Sequence, residues 1–245
     1  MSLNIKRTTI QCKSEIALVL RNGEQLLLTL IIPAMLLTFF SLVKVLPTDT
    51  NKPSTFLLPG VMALAVMSTS MVSLGIGTGF ERQYLVLKRL GATPLTRAEL
   101  VVAKMLSVFA VEVVQFAILL PLGLALGWRT SSTSWPLAIG VVLLGTAAFT
   151  GVGLIMAGRL RAEINLAAQN GLYLVLLLLG GMVIPMSKLP SPVRAVAELL
   201  PSSALADLMH RTLNGASSRP GVSLVVLAMW AIAAPAVAAR NFRWS

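Results

Sequence analysis

Apolar positions along this chain gather into six long runs, at residues 26–46, 56–80, 105–128, 135–158, 164–187 and 221–239. A helix crossing a bilayer needs about 20 residues, at about 1.5 Å each, to span a hydrocarbon core of about 30 Å. The runs are continuous and lack the apolar–polar alternation of a membrane barrel strand. They predict an all-α membrane protein with six transmembrane helices. Four of the runs contain no Asp, Glu, Lys or Arg. The first carries Lys44 near its end, where a long side chain reaches the interface, and the third carries Glu112.

The segments between the runs also have a pattern. In residues 4–25, Ile5, Thr9, Cys12, Ile16, Val19 and Leu20 recur at three- and four-residue steps. Lys6, Arg7, Lys13, Arg21 and Glu24 take other faces, which predicts an amphipathic helix on the cytoplasmic membrane surface. Residues 81–99 form a charged loop: a helix over 81–90, a stop at Gly91 in the left-handed position that ends helices, and a break at Pro94. Thr96 followed by Glu99 has the spacing of a capping box that starts the third membrane helix, 100–128. Between 188 and 220, Ser191-Pro192 and Ser202-Ser203 look like helix starts. Val193, Val196, Ala197 and Leu200, then Leu205, Leu208, Met209 and Leu213, provide apolar faces for two short re-entrant outer helices. The whole chain, 1–245, is expected to form one transmembrane domain.

Composition agrees. Of 245 residues, 56% are hydrophobic and 12% charged, about half the charge of a soluble domain, and the mean hydropathy is +0.83. The net charge of +11 does not imply nucleic-acid binding, because Lys and Arg sort by loop. With the N-terminus in the cytoplasm, 13 of the 20 fall on that side, among them Arg82, Lys88, Arg89, Arg97, Arg159 and Arg161. The bias puts both termini in the cytoplasm. The single cysteine, Cys12, excludes an internal disulfide. The first 25 residues lack the short apolar core and small-residue cleavage site of a signal peptide.

Catalytic groups are scarce. His210 is the only histidine, no Cys/His cluster has metal-ligand spacing, and the phosphate-loop pattern G-x-x-x-x-G-K-[ST] is missing. No cofactor, metal or catalytic residue is therefore expected. Glu112 is the one acid deep in a span, two turns past Lys104 with Gln115 nearby. Such groups face the bundle interior or water and are candidate functional residues; a structural pair is the alternative. Asn165, Gln169 and Asn170 are expected to bond neighbouring helices, and the GxxxG spacings Gly75–Gly79 and Gly123–Gly127 to let helices approach closely.

Two segments resemble a known family. Glu81-Arg82, Leu87-Lys88-Arg89-Leu90, Thr93-Pro94-Leu95, Arg97, Glu99-Leu100 and Lys104 are similar to the first cytoplasmic loop of type-2 ABC exporter permeases, the group containing daunorubicin-resistance-like drug-efflux subunits. Gly180-Gly181-Met182-Val183-Ile184-Pro185-Met186-Ser187-Lys188-Leu189-Pro190, Leu199-Leu200-Pro201 and Gly215 resemble that family's stretch around the fifth helix. Family members often carry glycine a few residues after the Glu-Arg pair, where this chain has Leu85.

The resemblance implies that 81–90 is a coupling helix docking into a separate ATPase subunit, with 4–25 a connecting helix beside it. Glu81, Arg82, Tyr84, Leu85, Leu87, Lys88 and Arg89 would carry the coupling, the basic groups meeting acids and the apolar ones filling a groove. It also implies a second permease subunit, identical or related, contact with membrane lipid, a hydrophobic small-molecule or lipid substrate, and a prokaryotic plasma membrane. A secondary carrier or channel independent of ATP, and a membrane anchor without transport, are the alternative readings.

Overall fold

The structure is a computed structural model that describes residues 4–43, 53–129, 133–183, 185–215 and 221–241. Among these residues it is entirely helical, with no strand. The elements are α1 Ile5–Arg21, α2 Gly23–Leu42, α3 Pro53–Met67, a π-helical turn Ser68–Ser73, α4 Leu74–Gln83, α5 Val86–Gly91, α6 Arg97–Ala125, α7 Trp135–Ala157, α8 Ala162–Leu179, α9 Ser191–Ala197, α10 Pro201–Asn214 and α11 Gly221–Asn241.

Among the described residues, five helices are long and apolar enough to cross a membrane: the continuous rod Pro53–Gln83, then α6, α7, α8 and Gly221–Arg240. The expected first span appears as a shorter apolar helix, Leu27–Leu42 within α2; its expected end at 44–46, like Lys44, Lys52 and Arg219, lies outside the described residues. The expected fifth span is too long. Its helix stops at Leu179, the chain turns at Gly180 and Gly181, whose φ is 68°, and a 3-10 turn Met186–Lys188 follows.

The core forms around α3, where every residue from Leu57 to Met67 is buried. Packed around it are α2, α6, α7 and α10. The expected apolar face of α10 is real, but it is not at a surface: Leu205, Leu208, Met209 and Leu213 are each at most 1% exposed. The charged Arg211 and Asp207, which pair at 2.8 Å, take the outer side. His210 stacks on Phe56 with ring centroids 4.7 Å apart. Burial there pushes the imidazole down to about 4, against a weaker upward pull from Asp207.

Small residues set the closest helix contacts. A Cβ on Gly151 of α7 would lie 2.4 Å from the backbone of Ala234 in α11. The Gly75–Gly79 face is covered by α8, where Gln169 and Asn165 occupy the space that side chains would need.

Prolines interrupt four of the long helices, α2 at Pro33, α3 at Pro59, α6 at Pro121 and α11 at Pro235. A proline inside a helix leaves the carbonyl four residues earlier without its usual donor. At two of the four a side-chain amide from a distant helix supplies it. Gln115 Nε2 of α6 donates to Thr29 O at 2.9 Å, answering Pro33. Asn214 Nδ2 of α10 donates to Thr55 O at 2.8 Å, answering Pro59. Asn214 also accepts from Trp128 Nε1 at 3.1 Å, so one residue ties α10 to the start of α3 and the end of α6.

Candidate functional site

The charged loop between α4 and α6 is a sharp elbow. The single helix expected over 81–90 is two pieces: α4 runs to Gln83, and α5 begins at Val86. The left-handed residue between them is Leu85, with φ 60° and ψ 16°, a conformation that costs a residue with a Cβ about 1–2 kcal/mol. It stands where the resembling family often has glycine. Gly91 is instead the last residue of α5 with no positive φ, so its expected left-handed stop is not used. The turn closes through Thr93 Oγ1, which donates to Leu90 O at 2.6 Å.

A six-residue helix is too short to hold itself. Leu87 fixes it, fully buried in a small cluster with Leu100, Val101, Leu154 and Ala238. At the far end the capping box forms as expected: Glu99 N donates to Thr96 Oγ1 at 3.2 Å, and Thr96 N to Glu99 Oε2 at 2.8 Å. The other carboxylate oxygen, Glu99 Oε1, accepts from Asn4 N at 2.9 Å. Arg7 Nη1 donates to Pro94 O at 2.8 Å. The start of α1 is thereby tied to the elbow.

A second tie is ionic. Lys104 Nζ lies 2.9 Å from Glu15 Oε2 of α1, and 3.0 and 2.9 Å from the two carboxylate oxygens of Glu81 in α4. An ammonium has three protons, and these three contacts use all of them. Lys104 and Glu15 are almost fully buried and Glu81 mostly so. The inward face of α1 is therefore Thr8 and Glu15. Ile5, Ile10 and Leu20 are exposed on the other side, the arrangement a helix needs if its outer face meets lipid.

The seven expected coupling residues separate into two sets. Glu81 and Leu87 turn inward, as above, and Arg82 is half-buried with Nη1 donating to Ala157 O at 3.0 Å, a cation on the carbonyl end of α7. Tyr84, Leu85, Lys88 and Arg89 are exposed, and Val86, absent from the expected set, joins them. Tyr84 stacks on Phe80 at 6.2 Å. The result is an aromatic-aliphatic tip flanked by two cations.

A family model described as ABC-2 type transporter matches residues 8–213, a stretch that includes the elbow, the ionic tie through Lys104 and nearly all of α10. The chain belongs to the ABC-2 type transporter family. It is also similar to a Bacillus subtilis (strain 168) protein that carries the name of a transport permease, YvfS: 26% identity over 213 residues, covering 84% of this chain and 85% of that one. Members of this family work as transport subunits beside an ATPase subunit, so ABC-2 membership accounts for a multi-pass helical chain with no nucleotide-binding motif.

Within the ABC-2 bundle the remaining candidates are internal. Glu112 is fully buried; its Oε2 accepts from Thr146 Oγ1 of α7 at 2.5 Å, while Oε1 is buried with no partner. It is eight residues from Lys104 and not paired with it. Asn165 Nδ2 donates to Gly75 O at 2.9 Å and Gln169 Nε2 to Gly153 O at 3.0 Å, joining α8 to α4 and α7. Asn170 bonds within its own helix, to Leu166 O at 2.9 Å. Sequence reasoning missed Glu15 as a buried partner and the second role of Glu99. The signal for Glu15 was a lone acid on an otherwise basic helix.

Proposed function

We propose that this chain is the membrane-spanning permease subunit of an ATP-binding-cassette exporter, moving an amphipathic drug-like or lipid-like substrate out of the cytoplasm or inner leaflet. A separate ATPase subunit drives it, and a second permease copy or relative completes the membrane part. Counted with α2, six helices cross the bilayer with both termini in the cytoplasm, α1 lies on the inner surface, and α9 and α10 are the re-entrant outer pair.

The observation that carries this reading is the elbow. Its exposed tip, Tyr84, Leu85, Lys88 and Arg89, stands on α4 and α6 and is tied to α1 through Glu99 and Lys104. A rigid element moves as a body, so a push on this tip is delivered to three helices together. The largely apolar composition of the bundle supports an amphipathic substrate over an ion or sugar.

Co-purification with the ATPase and a substrate screen tests the proposal. Lipophilic compounds should stimulate ATP hydrolysis by the complex. Lys88→Glu with Arg89→Glu should release the ATPase while leaving the permease folded. Stimulation by a polar solute and none by lipophiles would sink the substrate class, and intact ATPase binding by the reversed elbow would sink the coupling role.

A further inference from the structure

Between α1, α4 and α6 lies a cavity of about 350 Å³, within the size range of small-molecule sites, and Lys104 with both of its carboxylate partners lines it. Each helix turns one stripe toward it. From α6 come Lys104, Ser107, Val108 and Val111; from α1 and the residue that caps it, Glu15, Leu18, Val19 and Asn22; from the end of the π-helical turn and α4, Ser73, Gly77 and Glu81 at successive turns. The pocket therefore has a charged end and an apolar end, about 10 Å apart along α6 from Lys104 to Val111.

The charge at that end does not cancel. Two carboxylates share one ammonium, and among the described residues no other lining residue carries a charge. One unit of negative charge faces a cavity whose other walls combine Leu and Val with uncharged Ser, Thr and Asn side chains. A buried charge without a counter-charge is costly, and a cation entering the cavity removes that cost while covering apolar wall. An anion would meet the wrong sign, and a neutral lipophile would leave the charge uncompensated.

We propose that this cavity is a binding site for a lipophilic organic cation, whose charged centre sits against Glu81 and Glu15 and whose apolar body lies along Leu18, Val19, Val108 and Val111. The site belongs to a single copy of the chain, because α1, α4 and α6 of one protomer build it. As a substrate site it rests on the export reading above; as a binding site it is a property of the permease alone.

The test is equilibrium binding of tetraphenylphosphonium to the full chain in nanodiscs without any ATPase, with tetraphenylborate, of the same shape and opposite charge, measured separately. The phosphonium should bind saturably and at least tenfold more tightly than the borate. Glu81→Gln leaves Lys104 paired with Glu15 and the site neutral, and should weaken phosphonium binding about tenfold; Glu15→Gln neutralises it equally and serves if the first variant does not fold. Gly77→Leu should abolish binding of the cation, because a Cβ there meets nothing within 4 Å and its side chain enters open space in the cavity. Equal binding of the two ions, or binding unchanged in Glu81→Gln or Gly77→Leu, overturns the proposal. Binding here with no stimulation of a co-purified ATPase would leave the site standing and remove the export reading. Stimulation by other solutes with no binding here would do the reverse.

Discussion

Gln115→Leu tests whether a side chain on α6 replaces the hydrogen bond that Pro33 removes from α2. Leucine keeps the volume and removes the amide. Gln115 is 1% exposed, and its Nε2 donates to Thr29 O at 2.9 Å and to Thr69 Oγ1 at 3.0 Å. Ordinary side-chain hydrogen bonds between membrane helices average only about 0.6 kcal/mol, because partners are replaceable. Thr29 O is different: no backbone donor exists four residues on, and water is scarce at that depth. Taking away the Gln115 donor there should cost about 1–3 kcal/mol. Pro33→Ala restores the missing N–H and points it at the same carbonyl. In that background Gln115→Leu should lose only the Thr69 contact, so its cost should fall by at least about 1 kcal/mol, a clear coupling in a double-mutant cycle. Reversible unfolding in mixed micelles with a rising fraction of dodecyl sulfate, followed by helical circular dichroism, measures all four corners. An equal cost of Gln115→Leu with Pro33 and with Ala at 33 would refute the compensation.

Four further outcomes are expected. Lys104→Met leaves Glu15 and Glu81 facing each other in a buried site and should destabilise by about 3–5 kcal/mol; adding Glu15→Gln and Glu81→Gln should recover most of it, read as the melting midpoint in detergent. Leu85→Gly relieves the left-handed strain and should raise that midpoint, by about 1 kcal/mol of stability, whereas Leu85→Val should lower it. Gly151→Ala drives a Cβ into the backbone of Ala234 and Pro235 and should collapse the folded yield, while Gly171→Ala, with nothing within 4 Å, should be tolerated. His210 has a folded pKa of about 4 against 6.5 for the free group. The unfolded state thus binds more protons between those values, and stability should fall as pH drops from 6.5 toward 4; His210→Phe should flatten that part of the profile.

The helices themselves were readable from the chain because each rests on local rules. Apolar runs gave their positions to within a few residues for α7 and α11, and the capping box of Thr96 and Glu99 stands where its spacing put it. The errors came where a distant partner overrides a local preference. Leu85 takes a conformation that the sequence alone assigns to glycine, because Leu87 is locked into the cluster beneath it and fixes the direction of the chain. In α1 the apolar stripe marked a face for the membrane surface, but nothing local showed that Glu15 holds the helix from the other side, with a partner 89 residues away. An interior proline does announce an orphan carbonyl, but nothing local names the donor: Gln115 is 86 residues from Thr29, and Asn214 is 159 from Thr55.

The positions that sequence reasoning could not pair have a common geometry. Lys104, Glu99 and Leu87 hold the roots of the elbow, and none of them belongs to its exposed tip. Under the coupling reading, the tip is free to vary with the partner it meets while the roots set how force divides among α1, α4 and α6. The ion triad at those roots also forms the charged wall of the cavity. A cation bound there would change the charge balance that holds α1 to α4, so that occupancy of the pocket and the stiffness of the elbow become one property. Hydrogen exchange at the amides of α5 measures that link: slower exchange with tetraphenylphosphonium bound is the expected result, and no change would separate the two.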